Sequence, residues 1–595
     1  MEFITQNFVP LMFVGLLVFL LTGFPVAFGL AATGLTFGLL GMAAGLFPQV
    51  LFQALPLRLF GIMQNDTLLA IPFFTLMGII LQRSGMAEDL LETVGQVFGP
   101  LRGGLALAVV FVGALLAATT GVVAAAVISM GLISLPIMLR YGYNRTVATG
   151  VITASGTLAQ AIPPSLVLIV MADQLGRSVG DMYAGAMLPA GMLVGLYALF
   201  IVALAFFRPK WVPALPPEAL IYKEENGATG HKSLLAILSI AAAAGFGWAA
   251  VHDRIMGPLL DRSMNAGTDE IIIMSMTVAS FTALSLALAN RLLKLKLLSQ
   301  LSERVTFVLI PPLVLIFLVL GTIFLGIATP TEGGAMGALG AGIMAIARRQ
   351  LNLNLLKQAL DNTVRLSCFV MFILIGSTVF SFTFNAADGH IWVEHLFEKL
   401  PGGPIGFLIA VNILVFVLGM FIDFFEIAFI VIPILAPVAD KMGIDLIWFG
   451  IIISLNLQTS FLTPPFGFAL FYLRSVAARS DYNDKITNQR IPAVTTTQIY
   501  KGSVAFIFIQ LVMVGLIIAF PNLVLGNLDK GPKVDFSTIK LEAETGNYGK
   551  KMDDPMDLFA PVPEENQPVQ PNGDAKEEDP MEAIRRSLEQ DKDKK

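Results

Sequence analysis

Apolar stretches long enough to enter or cross a bilayer recur along the whole chain, at 8–22, 26–46, 67–81, 104–118, 122–138, 146–175, 184–207, 233–251, 271–289, 305–327, 333–347, 366–384, 405–421, 424–439, 447–473 and 504–520. A hydrocarbon core takes roughly 20 helical residues to cross, so several of these sixteen runs are too short and read as half-helices. With no water in lipid to bond the backbone, each run has to satisfy its own N–H and C=O groups. Only 14% of residues are charged, against about 25% in soluble proteins, and 55% are hydrophobic, with a mean hydropathy of +0.76. A soluble enzyme is excluded, and an all-α polytopic membrane protein is predicted. The formal charge of -5 belongs to the end of the chain: residues from 521 on hold 11 basic and 17 acidic residues, and the rest hold 27 and 26. This near-neutral body excludes a nucleic-acid surface. Cys368 alone excludes internal disulfides and a multi-cysteine metal site. The first stretch lacks a basic n-region and a small-residue cleavage site, and reads as a retained helix.

Cytoplasmic loops retain Lys and Arg, which orients the runs. Arg83, Arg102, Arg140, Arg145, Arg208, Lys210, Arg291, Lys294, Lys296, Arg304, Arg348 and Arg349 are assigned to the inside, as is the basic segment 474–501. The map closes only if 104–138 enters and leaves from the inside and 405–439 from the outside, as two re-entrant hairpins. The remaining runs give 12 spans, with both termini outside.

Residues 136–164 and 437–465 match at an offset of 301: Pro136 with Pro437, Gly142 with Gly443, Pro163-Pro164 with Pro464-Pro465. Each copy runs hairpin, polar turn, helix, double proline, half-helix, and the charge map makes the copies inverted. Paired interrupted helices in inverted repeats point to a secondary transporter with its site at the repeat interface. For either Pro-Pro alone, a simple helix end or kink explains as much. The resulting division is a first membrane repeat at 1–209 (hairpin about 104–138, broken helix about 146–175) and an inserted linker with two further transmembrane helices at 210–303. A second repeat follows at 304–520 (hairpin about 405–439, broken helix about 447–473), then an acidic, mostly disordered tail at 521–595, with a short helix near 580–590.

The interruptions carry the chemistry. The first hairpin turns at Ala118-Thr119-Thr120-Gly121, and the first broken helix reads Thr153-Ala154-Ser155-Gly156-Thr157, then Gln160 to Ser165. The second reads Ser454 to Ser460, with Asn456, Gln458 and Thr459, then Thr463-Pro464-Pro465. Proline frees carbonyls one turn back, and these beside Ser, Thr and Asn oxygens make a cage suited to a small cation such as Na⁺. The N–H groups opening each half-helix suit an anionic substrate. The competing reading is local: Ser and Thr bond back within their own helix. The second hairpin turns at Gly419 to Glu426, where Asp423 and Glu426 lie three apart on one face. They read either as functional carboxylates in the membrane or as caps of the hairpin's second helix. Glu332, after Thr329-Pro330-Thr331, reads first as a helix start. The four histidines, His231, His252, His390 and His395, fall in loops or at membrane edges, which argues against an intramembrane metal enzyme, and no Walker-type lysine loop is present.

"GIATPTEGGAMGALGAG" (326–342), "GMFIDFFEIAFIVIPILAP" (419–437), "IPPS" (162–165) and "IPFFTLMGIILQRSG" (71–85) together resemble the large membrane subunit of tripartite ATP-independent periplasmic (TRAP) transporters, nearest the subtype named for mannitol or chloroaromatic compounds. The likeness covers about 1–209 and 303–520, and the insert and the tail have no family role to transfer. Thr119-Thr120 depart from the serines of many relatives. The resemblance implies an elevator-type transporter of the bacterial inner membrane driven by the Na⁺ gradient, a small four-helix membrane partner, and a periplasmic binding protein that delivers a small organic acid. With the oxygen-rich segments, it singles out Thr119, Thr120, Gly121, Gln160, Pro164, Ser165, Gln458 and Pro465 for substrate. It singles out Thr120, Ser155, Thr157, Asp423, Asn456, Thr459 and Ser460 for Na⁺. The alternatives are an H⁺-coupled or stand-alone carboxylate symporter and, from another class, a non-transporting membrane scaffold subunit.

Overall fold

Most helices of the computed structural model, which describes residues 5–222, 230–260, 266–294, 297–398, 401–484, 487–526 and 528, begin at side-chain caps or glycines. In chain order α1 (Phe8–Leu21), α2 (Val26–Ala43), α3 (Leu55–Met63), α4 (Ala70–Arg83) and α5 (Met86–Phe98) precede a helical hairpin, α6 (Gly104–Thr120) and α7 (Val123–Arg140). An interrupted helix follows, α8 (Arg145–Thr157) and α9 (Leu166–Leu175), then α10 (Val179–Phe207) and the inserted α11 (His231–Leu259) and α12 (Thr268–Leu292). The second half holds α13 (Gln300–Phe324), α14 (Pro330–Ala347), α15 (Leu353–Ala386) and α16 (Gly389–Glu398), then the hairpin α17 (Gly403–Leu418) and α18 (Phe424–Lys441). The second interrupted helix is α19 (Leu446–Ser460) and α20 (Phe468–Val476). A two-stranded antiparallel ribbon, β1 (Tyr482–Asn483) with β2 (Arg490–Ile491), leads to α21 (Thr496–Ala519) and α22 (Asn522–Leu525). Nine described helical segments are long and apolar enough to cross a membrane, while α6, α9, α17 and α19 are apolar but shorter.

The fixed offset in sequence returns as a fixed offset of elements. α7 and α18 both begin and end 301 residues apart. The turns after them place Gly142 and Gly443 at φ +81° and +72°, in the left-handed region that glycine adopts without penalty. Asn144 and Asp445 then cap α8 and α19 by accepting backbone N–H bonds two residues on. Both Pro-Pro bonds are cis, and both lie in the break between helix and half-helix. Packing is reciprocal: half-helix α9 lies on hairpin helix α18, and half-helix α20 lies on hairpin helix α7. Likewise α2 packs on α15 and α14 on α4. An exchange in which each copy gives the other the same contact is the pattern of a two-fold relation.

Several expectations are corrected. Runs of uniform apolarity locate spans but miss elements that carry charge on one side. The amphipathic α5 buries Met86, Leu90, Leu91 and Val94 beneath Glu88, Asp89 and Glu92, and α3 and α16 lie outside the expected runs for the same reason. The first hairpin turn is only Gly121-Val122, so Thr119 and Thr120 complete α6 instead of standing in a loop. Glu426 lies in the first turn of α18. His252 is not in a loop: α11 runs to Leu259, and His252 is fully buried, accepting from Trp248 Nε1 at 3.0 Å and facing Glu270 Oε1 at 3.0 Å on α12. The inserted pair packs through α12 onto α13, around Leu234, Ile237, Ala241, Ala283, Ala287 and Ile310. The expected disorder of the tail and its helix near 580–590 lie outside the described residues.

Candidate functional site

The first hairpin tip meets the first break. Gly121 caps α6 at φ +59°, and a side chain there would press on Leu166, whose Cγ lies 3.1 Å from the added carbon and which opens α9. Ser165 bridges the interruption, its hydroxyl donating to the Gln160 carbonyl at 3.0 Å and accepting from Val167 N–H at 3.2 Å. Along α8, Ser155 lies against Gly113 of α6. Its buried hydroxyl has no hydrogen-bond partner, and neither does Gln160 Oε1. Thr157 donates to Ala154 O at 2.9 Å and Thr119 to Leu116 O at 3.0 Å. The side chain of Thr120 lies outside the described set.

The second tip meets the second helix in the same way. Gly419, ending α17, approaches Ser460, and Phe421 of the tip lies 5.1 Å from Phe466 in the break, ring centre to ring centre. Asn456 donates to the Asn412 carbonyl of α17 at 2.6 Å, and Asn412 Oδ1 is itself buried without a partner. Thr459 and Ser460 donate back to Leu455 O and Asn456 O, each at 3.1 Å. Both amide atoms of Gln458 are buried without a partner of hydrogen-bonding geometry. The Pro465 carbonyl, beyond the cis bond from Pro464, accepts from Tyr500 at 2.9 Å. The two half-sites adjoin, since α9 and the turn Leu158–Gln160 pack on α19.

The local reading of the hydroxyls is therefore correct for Thr119, Thr157, Thr459 and Ser460, yet it does not exclude ligation. A hydroxyl that donates its proton keeps lone pairs for a cation. Ser155 Oγ and Gln160 Oε1 are oxygens taken from water with nothing donated to them, while the Gln458 amide lies beside the Tyr197 hydroxyl, which itself accepts from Gln510. Leaving such atoms without partners is costly, and hard oxygens of this kind fit Na⁺. Asp423 caps α18: its Oδ1 accepts from Phe424 N–H at 2.8 Å, while Glu426 Oε2 accepts from Asp423 N–H at 3.1 Å. Glu332 forms the equivalent capping box with Thr329 at the start of α14, so it is a helix start and stands apart from the other candidates. Asn412 and Tyr500 were missed. Asn412 was visible as the one amide in an otherwise apolar run, whereas nothing in the sequence ties Tyr500 to Pro465.

The family model described as the DctM component of the tripartite ATP-independent periplasmic transporter matches residues 13–523. The C4-dicarboxylate TRAP transporter large permease protein DctM of Pseudomonas aeruginosa is 28% identical over 432 residues, 72% of this chain and 82% of that protein. The ectoine TRAP transporter large permease protein TeaC of Halomonas elongata is 24% identical, over 85% of this chain and 95% of its own. The crystal structure of the Alcanivorax borkumensis YdaH transporter superposes with a TM-score of 0.46 at 13% identity, covering 80% of this chain and 89% of that one.

Proposed function

The chain belongs to the DctM family of TRAP large permeases, multi-pass membrane subunits of secondary transporters, and from that premise we propose Na⁺-coupled uptake of a small organic acid by an elevator mechanism. The observation that carries this reading is the reciprocal packing of two hairpin-and-broken-helix units, with buried, unpartnered oxygens at Ser155 and Gln160. The moving body comprises α6 to α9 and α17 to α20, and the remaining helices stay fixed. Na⁺ binds first, among the oxygens of Ser155, Thr157, Asn456, Thr459, Ser460 and Asp423, with Thr120 contributing at the first tip. Its charge and the opening N–H groups of α9 and α20 then draw in the substrate carboxylate near Gly121, Ser165 and Pro465. Relatives are named for C4-dicarboxylates, isethionate, ectoine and sialic acid, and one of them is named DctMQ, joining two permease labels in one chain. This supports a small membrane partner and a periplasmic binding protein that sets the substrate. The location is the bacterial inner membrane with both termini outside, an orientation that the basic residues near Arg140, Arg304 and Arg348 support under the inside-positive rule.

The test is uptake into proteoliposomes holding this chain, its membrane partner and a loaded binding protein. An inward Na⁺ gradient is expected to drive accumulation that collapses when the gradient is dissipated at constant pH. Equal uptake with and without it refutes the coupling.

A further inference from the structure

In the middle of α18 one backbone carbonyl has no partner in its own helix. Pro433 lies inside α18, and a proline has no N–H to give the carbonyl four residues back, which is that of Phe429. Ser377 of α15 makes up the loss from across the interface: its buried hydroxyl donates to the Phe429 carbonyl. A buried carbonyl without a donor is costly, so α18 depends on α15 for this bond. Apolar contacts between the two helices, such as Phe369 against Phe425 with ring centres 6.5 Å apart, can slide without losing a pairing. The hydrogen bond cannot.

A second hydroxyl stands ready along the same helix. Ser381 lies four residues beyond Ser377, on one helical face with it and about 6 Å further along the axis. On the charge map α15 runs outward from Arg348 and Arg349, so Ser381 is nearer the outside. Its hydroxyl is buried and has no partner. Ser and Thr on helices commonly donate back to the carbonyl four residues earlier, as Thr363 and Thr378 do on α15, each at 2.8 Å. Ser381 does not. A different side of α15 is taken by α2, where Gly376 abuts the Ala27 backbone and Thr383 donates to the Gly34 carbonyl at 2.8 Å. We propose that Ser377 and Ser381 are successive rungs for the Phe429 carbonyl: it rests on Ser377 in the position described here, and on Ser381 after α18 has moved one helical turn outward. This rests on the movement of α18 against a fixed α15 proposed above, and gives that movement a defined stop, because Pro433 makes an outside donor necessary wherever the hairpin halts.

The test reads the position of the hairpin in the full chain. In a Cys368→Ser background, spin labels at Lys357→Cys on α15 and Arg479→Cys just after α20, both exposed, report the distance between fixed and moving parts by double electron–electron resonance in lipid nanodiscs. Two distances are expected in the parent chain. Ser377→Ala removes the rung of the described position and is expected to raise the ratio of outward to described populations about fivefold. Ser381→Ala is expected to lower it about fivefold, each change being the worth of one hydrogen bond. A ratio unchanged by either substitution, or moved in the same direction by both, overturns the rungs while leaving the moving body in place. A single distance in all three chains refutes the moving body itself, and the rungs with it.

Discussion

At the scale of single residues, the question is whether a polar side chain serves its own helix or a ligand, and Asp423 allows the two to be separated. Aspartate and asparagine are about equal as N-caps, so Asp423→Asn keeps the start of α18 while removing a charge. The expected outcome is thermal stability within about 1 kcal/mol of wild type, together with a rise of about tenfold or more in the Na⁺ concentration for half-maximal uptake. Unchanged Na⁺ dependence would leave Asp423 as a cap only. Ser155→Ala is the complementary case. Its hydroxyl has no partner to lose, so the variant is expected to be as stable as wild type or slightly more so in thermal unfolding, while Na⁺ affinity falls. Ser155 was legible in the sequence as a buried oxygen ahead of a Pro-Pro interruption and Asp423 as a carboxylate inside an apolar hairpin, but which hydroxyls bond back and which stand free depends on side-chain rotamers that no spacing reveals.

Secondary-structure elements are held in place by paired bridges at the two ends of the hairpins. Arg140, ending α7, donates twice to Asp484 beside the ribbon, at 2.9 and 2.8 Å, with both side chains largely buried. The counterpart is Asp440 near the end of α18 with Arg177 after α9, 3.7 Å apart and largely exposed. The two ties therefore differ in strength. Arg140→Ala is expected to cost about 3 kcal/mol because it leaves a buried carboxylate, and Arg177→Ala less than about 1 kcal/mol, both read by thermal unfolding in detergent. The Arg140 guanidinium and Thr487 hold the Asp484 carboxyl well below the usual carboxylate range. A depressed folded value adds stability above the unfolded carboxylate range, near pH 4, and loses it as pH falls from there toward the folded value. Wild type is thus expected to lose more stability than Asp484→Asn over that acidic window, and parallel curves would contradict the bridge. The positions of α7 and α18 could be read from apolar runs and arginine placement. The ribbon beside Asp484 could not, because two-residue strands have no periodicity to detect.

For the molecule as a whole, the inserted pair α11 and α12 is tied by a buried contact between His252 and Glu270 that the apolar runs 233–251 and 271–289 left out. Trp248 donates to Nδ1 of His252, which leaves Nε2 to carry the proton toward Glu270. His252→Ala is expected to lower the stability of this pair by about 2–3 kcal/mol, seen as faster hydrogen exchange in α11 and α12 with uptake through the hairpins retained. Loss of uptake without that local change would mean the insert takes part in transport itself.

The sequence alone determined that this chain lives in a membrane, that it holds two interrupted helices at a fixed interval, and that hydroxyls and amides cluster at the interruptions. Those features are set by local chemistry: desolvation of apolar runs, the missing N–H of proline, and the sparing use of charge. Only the tertiary structure decided that half-helix α9 lies on α18 and α20 on α7, that Gly121 abuts Leu166, that Tyr500 reaches the Pro465 carbonyl, and that Arg304 and Arg348 share Asp89. Each of these contacts joins segments far apart in the chain, and close packing between helices fixes them through shape, which spacing along one strand of sequence does not encode.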